Sequence, residues 1–225
     1  PQRLSLICVL RNLKAIEQLD VSTRSTLQSN IISLPKYSKE QLTDILNDRV
    51  SIAFKALKVP EDTMSLISEL ALSEGGNARF GIELLWRAGK YADTEDLAVV
   101  TPECVRKAVS SVYPAMRKSD LALLNLHEKL FLLGTARFFK ESQRAYISFA
   151  EAEQAYAVAC EEFGTQPRSH TQLWKYLQTF SNLGILKTKV STTGSRGRST
   201  LIYLPRIPAH ELRKELGTLL RAGEA

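Results

Sequence analysis

One predicted helix in the second half of the chain carries side chains suited to contacting a polyanion. It opens at Pro167-Arg168-Ser169, and Leu177 and Phe180 lie within about 40° of Leu173 on a helical wheel, which defines the core-facing side. The outer side presents Arg168, Thr171, Lys175 and Gln178, Gln172 and Thr179 flank it, and Ser169 in the opening turn is a further candidate DNA contact. Arginine and lysine pair with guanine and glutamine pairs with adenine, so this carboxylate-free face predicts a helix that reads the DNA major groove. A solvated helix face is the alternative.

A basic hairpin follows that helix. The alternating segment Ile185 to Thr192 predicts a half-buried strand with Leu186, Thr188 and Val190 inward, and Leu201 to Leu204 predicts the partner strand. The connecting turn, TTGSRGRST, combines glycines, which permit close backbone approach, with arginines, which suit a narrow and electronegative minor groove. The candidate DNA contacts of this hairpin are Lys187, Lys189, Arg196, Gly197 and Arg198.

The charge distribution points the same way. The net charge is +6, yet residues 1–115 hold 14 basic and 14 acidic side chains, so the whole excess lies in residues 116–225. Thr165 to Arg206 contains seven lysines and arginines and no acid. An acid-free basic block inside a balanced chain is typical of a surface that meets a polyanion.

The order of predicted elements places these residues in a fold. Helices are predicted over Leu121–Phe139 and Phe149–Phe163, before the basic helix and hairpin, and a closing helix over Glu211–Leu220. This order predicts a winged helix at 116–225.

The first half of the chain is different. Helix starts at Ser38 (a capping box with Gln41), Pro60, Asn77 and Thr101 predict a four-helix bundle at 36–115. The apolar run LSLICVL near the first residue predicts a buried strand of a larger α/β domain. The predicted fold class is therefore mostly α, with a hinge expected near 111–119.

Several function classes lack their residues. Cys8, Cys104 and Cys160 are odd in number and far apart, which indicates reduced thiols, and no histidine has the spacing of a metal ligand. There is no G-x-S-x-G, no H-E-x-x-H and no phosphate-binding G-x-x-x-x-G-K-[ST] motif, so no catalytic residue is assigned. No run of about 18 apolar residues predicts a membrane span.

Three segments resemble one family. GGNARFGIELLWRAGKYA at 75–92 looks like the sensor-2 motif of AAA+ initiators, LPKYSKEQLTDIL at 34–46 looks like their F-P-P-Y-S segment, and LICVLRNLKAIEQLD at 6–20 looks like the sensor-1 region. With the winged helix, the chain resembles the archaeal origin-recognition AAA+ replication initiators, relatives of the eukaryotic origin recognition complex. The resemblance implies the end of an AAA+ α/β core at 1–35, a helical lid at 36–115 and a DNA-binding winged helix at 116–225.

The resemblance also implies a nucleotide site. Arg79 matches the sensor-2 arginine, Asn12 is the candidate for sensor 1, and Arg24 is the candidate for an arginine finger. ATP or ADP with Mg²⁺ is the cofactor of the intact parent, which is expected to be a weak ATPase. This sequence departs from the pattern at Leu10-Arg11, where a Ser-Asn pair is usual, and at Asn77, where aspartate is usual. Because it lacks the Walker A and Walker B motifs, the chain as given is expected neither to bind nucleotide through its own motifs nor to hydrolyse ATP.

The implied function is that of an initiator that binds origin DNA and supports loading of the replicative helicase. Its partners would be double-stranded origin DNA, a paralogous initiator subunit and the minichromosome maintenance helicase, with no membrane, in the cytoplasm at the nucleoid. A winged-helix transcription regulator fused to an unrelated helical domain, and a clamp-loader-like AAA+ module, are the alternatives.

Overall fold

The computed structural model describes residues 7, 9–10, 14–28, 31–112, 118–191 and 199–222, which fall into two units, Pro1–Lys36 and Tyr37–Ala225. The first unit contains helices α1 (Lys14–Glu17) and α2 (Val21–Gln28). Of the buried strand predicted near the first residue, the described residues are Ile7, Val9 and Leu10. They have no regular secondary structure and are exposed. A strand of a parallel sheet needs neighbouring strands, and none of the described strands pairs with this segment.

The second unit is mostly helical, as the sequence predicts. Its elements are α3 (Lys39–Ala53), α4 (Glu61–Ser73), α5 (Ala78–Thr94), α6 (Pro102–Val112), α7 (Lys118–Ala122), α8 (Leu126–Ser142), β1 (Ile147–Ser148), α9 (Phe149–Glu162), α10 (His170–Asn182), β2 (Lys187–Ser191), β3 (Ser199–Tyr203) and α11 (Ala209–Ala222). Among the described residues, no helix is long and apolar enough to cross a membrane.

The predicted helix starts of the bundle are confirmed where their capping groups are visible. Ser38 and Gln41 form the capping box of α3. Asn77 caps α5, with its Oδ1 accepting the amide of Phe80 at 3.1 Å. Gly75 and Gly76, with φ of 78° and 74°, turn the chain from α4 into α5, and two consecutive left-handed residues explain the glycine pair.

The first helix predicted for the winged helix is wrong in one respect. Instead of one helix over 121–139, the chain forms α7 and then α8, which begins after Asn125. The side chain of Asn125 accepts the amide of Glu128 at 3.0 Å, and the Glu128 carboxylate accepts the amide of Asn125 at 2.9 Å. This second capping box stabilises a new helix start and outweighs the continuous apolar periodicity.

A third capping box starts α9. The Glu151 carboxylate accepts the Ser148 amide at 2.8 Å, and Arg144 Nη1 lies 2.7 Å from Glu151 Oε1. Burial raises the pKa of Glu151, but the hydrogen bonds from Arg144 and Ser148 outweigh it and hold that pKa at about 2. The carboxylate is therefore ionised at neutral pH and anchors β1 to α9.

A three-stranded antiparallel sheet, in the order β1-β3-β2, stands between two hydrophobic cores. Along β3 and the residue that follows it, Ile202 and Leu204 join the core of α8 to α11, whereas Leu201 and Tyr203 pack on the core of α3 to α6. Successive side chains of a strand point to opposite faces. One face of the sheet therefore packs on the core of the bundle, and the other face packs on the core of the winged helix.

A buried arginine reinforces this contact. Arg106 of α6 is 0% exposed, and its Nη2 donates to the carbonyls of Arg144 at 3.2 Å and Ala145 at 3.4 Å, beside β1. Glu103 lies 3.2 Å from Arg106 Nη1 and also accepts the amides that open α11, from Ala209 and His210, each at 3.2 Å. One ion pair of α6 thus joins two segments of the winged helix. Residues 113–117, within the predicted hinge, lie outside the described residues.

Candidate nucleic-acid interface

Helix α10 is set into the winged helix by its apolar side. Leu173, Leu177 and Phe180 are buried as predicted, and Tyr176 joins them. The Phe180 ring stacks on Phe131 of α8, with centroids 6.0 Å apart. This packing leaves the opposite side of α10 facing solvent.

The exposed side of α10 presents the polar residues that the sequence singles out. Arg168, Ser169, Thr171, Lys175 and Gln178 are exposed, and Gln172 is half-buried. Ser169 is the N-cap residue, but its side chain makes no capping hydrogen bond. The face therefore offers cationic, amide and hydroxyl donors, and none of its own residues is acidic.

A buried tyrosine fixes where α10 begins. Tyr156 Oη accepts the backbone amide of Arg168 at 3.0 Å and lies 2.8 Å from Nδ1 of His127. Burial, followed by the nearby Arg168 charge, lowers the pKa of His127, so the neutral ring is favoured in its hydrogen bond with the tyrosine hydroxyl. Tyr156 is not among the residues predicted for the site, because no spacing rule in the sequence reveals a hydroxyl contact between α9 and the start of α10.

Two further side chains border the face and were not predicted as contacts. His170 Nδ1 lies 3.0 Å from Glu153 Oε2, and the imidazole packs edge-on against Phe149. Trp174, 39% exposed, packs on the same phenylalanine ring, with centroids 5.3 Å apart. Glu153 therefore places one carboxylate beside His170 at this edge of the face.

The strand β2 differs from its predicted burial. Leu186 is buried, as the alternation predicts, but Thr188, which pairs with Ile202, is exposed although it was predicted inward. Val190, also predicted inward, is 57% exposed, whereas Lys189 on the opposite face is half-buried, with Glu69 of α4 close to its side chain. Burial here is decided by the neighbouring bundle and not by the strand itself.

The cations of the acid-free block have different surroundings. Lys189 Nζ lies 3.8 Å from Glu69 and 5.2 Å from the centre of the Tyr146 ring, and Arg206 Nη2 lies 3.0 Å from Glu74. These two cations are engaged with the bundle. Lys187 is exposed. Arg196, Gly197 and Arg198 lie outside the described residues.

The residues singled out for nucleotide have separate places. Arg79 is exposed in the first turn of α5, directly after the Asn77 cap. The opening amides of a helix have no intrahelical partners, so an exposed guanidinium beside them fits an anionic phosphate. Arg24, in α2, donates from Nη2 to the carbonyl of Leu19 at 3.4 Å. Asn12 lies outside the described residues.

Comparison with known proteins agrees with this architecture. Residues 43–110 match the Cdc6 AAA+ ATPase-type lid domain, and residues 120–212 match the C-terminal winged-helix domain of CDC6. The chain is 34% identical to ORC1-type DNA replication protein 2 of Sulfolobus acidocaldarius, over 98% of this chain and 55% of that protein. It is also 34% identical to the protein of the same name from Sulfurisphaera tokodaii, over 90% and 50%.

The described fold is similar to a solved structure as well. The crystal structure of Cdc6p from Pyrobaculum aerophilum superposes with a TM-score of 0.80 at 33% identity, covering 94% of this chain and 56% of that one. The chain thus spans about half the length of the proteins it matches. With lid and winged helix matched in order, the chain belongs to the ORC1/Cdc6-type family of AAA+ DNA replication initiators.

Proposed function

We propose that the intact protein is an origin-binding replication initiator whose winged helix binds double-stranded DNA and supports loading of the minichromosome maintenance helicase. The observation that carries the proposal is the exposed, acid-free side of α10. The match to a Cdc6 lid followed by a Cdc6 winged helix favours an initiator over a transcription regulator or a clamp-loader-like module.

In this proposal α10 enters the major groove and the β2–β3 hairpin lies along the adjacent minor groove. Thr171, Gln172 and Gln178 face the base edges, where an amide can pair with adenine. Lys189 and Arg206 are already engaged with the bundle. The cations that would contact phosphates are therefore Arg168, Lys175, Lys187, Arg196 and Arg198.

The intact protein would bind ATP or ADP with Mg²⁺, and the bound triphosphate supplies the hydrolysable bond. Arg79 would hold a phosphate oxygen from the first turn of α5, assisted by the amides of that turn. Because α6 and β3 tie the lid to the winged helix, a lid drawn toward nucleotide would carry the DNA-binding face with it. We place the protein in the cytoplasm at the nucleoid, acting with a paralogous initiator.

The test measures binding of duplex DNA by the full chain. Fluorescence anisotropy gives the affinity at each salt concentration of a series. If four of the five cations neutralise phosphates, log K should fall with log salt at a slope of roughly −3.6, from about −0.9 per contact. Arg168→Gln with Lys175→Gln should flatten the slope by about 1.8, while the exposed lid pair Lys55→Gln with Lys90→Gln should leave it unchanged.

Gln178→Ala should change the ranking of duplex sequences more than the salt slope. A wild-type chain that binds duplex no more tightly than the Arg168→Gln, Lys175→Gln variant would overturn the assignment of α10.

The nucleotide part has its own measurement in the intact protein. Arg79→Ala should reduce the difference in DNA affinity between the ATP-bound and nucleotide-free states, without changing the affinity in the absence of nucleotide. An unchanged difference would remove Arg79 from the nucleotide site.

A further inference from the structure

A second basic surface lies between α8 and α11, away from α10. It is a groove of about 320 Å³ lined by Leu133, Arg137, His210, Arg213, Lys214, Gly217, Thr218 and Arg221. The central Gly217 has nothing within 4 Å of where a side chain would begin, so the middle of the groove is open.

The groove is basic because the basic and acidic residues of α11 lie on different faces of the helix. At about 100° per residue, Arg213, Lys214 and Arg221 lie within about 60° of His210 on the helical wheel, whereas Glu211 and Glu215 lie about 100° to 140° away. One face of α11 therefore carries three permanent cations in a row and no acid. Along the axis, Arg213 and Arg221 are about 12 Å apart at 1.5 Å per residue.

The acids near the groove neutralise only part of this charge. Glu162 pairs with Arg137, at 2.9 Å between Oε1 and Nη2, and Arg221 is close enough to lower the pKa of Glu162 after the larger effect of the Arg137 hydrogen bond. Glu141 also lies near Arg137. Within the described part of the chain, neither Arg213 nor Lys214 makes an ion pair, and the Nε of Arg213 is buried without an acceptor.

The groove is on another side of α8 from the DNA-reading helix. Phe131 of α8 packs against α10, whereas Leu133 lines the groove. These residues are two positions apart, which is about 200° around the helix axis. Arg213, Lys214 and Arg221 also lie beyond residues 120–212, the span that matches the winged-helix family. The groove is thus separate from the surface on which the proposed function depends.

The chemistry of the groove favours a phosphate backbone over an acidic peptide. A peptide would need an apolar anchor, because a few buried side chains supply most of the affinity of protein interfaces. None of the exposed large hydrophobic side chains of the described residues lines the groove, and Leu133 is 1% exposed. A nucleic-acid backbone needs no such anchor, because its affinity comes from cations that displace condensed counterions.

We propose that the α8–α11 groove binds the phosphate backbone of duplex DNA outside the segment read by α10, through Arg213, Lys214 and Arg221. The winged helix would then hold DNA on two sides of α8. This goes beyond the proposed function, since it assigns contacts that are independent of the recognition face.

The experiment compares three double variants of the full chain on a 40-base-pair duplex across a salt series. Lys214→Gln with Arg221→Gln removes two exposed groove cations and should flatten the slope of log K against log salt by about 1.8. Lys214→Arg with Arg221→Lys keeps the charges and should retain the wild-type slope. Lys55→Gln with Lys90→Gln is the matched exposed control in the lid and should also match wild type.

Parallel measurement of Arg168→Gln with Lys175→Gln separates the two proposals. A flattened slope for this pair alone overturns the groove and leaves the recognition face standing. A flattened slope for the groove pair alone supports the groove and overturns the recognition face. Wild-type slopes for both pairs overturn both the groove and the recognition face. A polyglutamate peptide that binds wild type but not the groove variant, with DNA binding of that variant unchanged, would show a peptide site and overturn the proposal.

Discussion

Replacing the buried Arg106 should both destabilise the chain and uncouple its two cores. Arg106→Met keeps an unbranched apolar stem, but it is shorter and removes the guanidinium, whose carbon lies 4.6 Å from the centre of the Phe139 ring. It removes the donor that the Arg144 and Ala145 carbonyls share, and the cationic partner of Glu103.

The size of the effect follows from opposing contributions. Hydrogen bonds from a charged donor contribute about 1.5–3 kcal/mol each, so losing two costs about 3–6 kcal/mol. Methionine recovers part of this, because burial lowers the pKa of Arg106 and so disfavours its charged form, despite the opposing effect of Glu103. A net loss of about 2–4 kcal/mol in the free energy of unfolding is expected. Arg87→Met, which breaks the exposed pair with Glu83 within α5, should cost less than about 0.5 kcal/mol.

The two tryptophans of the chain let the assay follow each core separately. Trp86 lies on α5 of the lid and Trp174 on α10 of the winged helix. Urea unfolding is followed by fluorescence in single-tryptophan backgrounds made by Trp174→Phe or Trp86→Phe. With Arg106 present the two transitions should coincide, and with Arg106→Met they should separate. Coincident transitions shifted by less than about 1 kcal/mol would refute the role given to Arg106.

Three further outcomes are expected. Tyr156→Phe should cost about 1–3 kcal/mol by urea unfolding, since it leaves a partly buried amide and a buried imidazole without their shared partner. It should also raise the amide exchange rate of Arg168, and an unchanged rate would contradict the role of Tyr156. Because the pKa of Glu151 is about 2 when folded and near 4.5 otherwise, its stabilisation should be complete above about pH 5 and lost as pH falls toward 2. The stability difference from Glu151→Gln should therefore shrink over that window, and a difference independent of pH would refute it. Gly134→Ala would place Cβ 2.5 Å from the carbonyl oxygen of Ala155 and should lower the thermal midpoint, whereas Gly217→Ala, in open space, should raise it slightly; the reverse order would contradict the packing of α8 on α9.

The helix starts were predictable where a local hydrogen bond decides them. Ser38 and Asn77 cap their helices through neighbours three residues on, so the signal lies within four positions of the sequence. Asn125 and Glu128 have the same spacing, but the prediction of one helix over 121–139 rests on apolar periodicity alone and misses the helix start that the structure shows there.

What the sequence could not indicate is which residues the two domains share. The exposed side of α10 follows from its periodicity, because that helix packs on a single core. The half-buried Lys189 and the fully buried Arg106 depend on partners far along the chain, Glu69 and the Arg144 carbonyl. No local pattern distinguishes a basic residue that is exposed to solvent in the folded chain from one that makes such a long-range contact.

The shared sheet has a consequence for experiments that dissect the protein. A winged-helix fragment beginning near residue 118 would expose Tyr146 and Tyr203, which are only 8% and 5% exposed in the whole unit, and would start α11 without the Glu103 carboxylate. Two uncovered aromatic rings on one side of a small sheet form an exposed hydrophobic patch, which favours self-association. We expect the self-associated fraction of such a fragment to rise with its concentration. Part of its DNA binding would then come from aggregates. Measurements of its intrinsic affinity should therefore keep the lid attached.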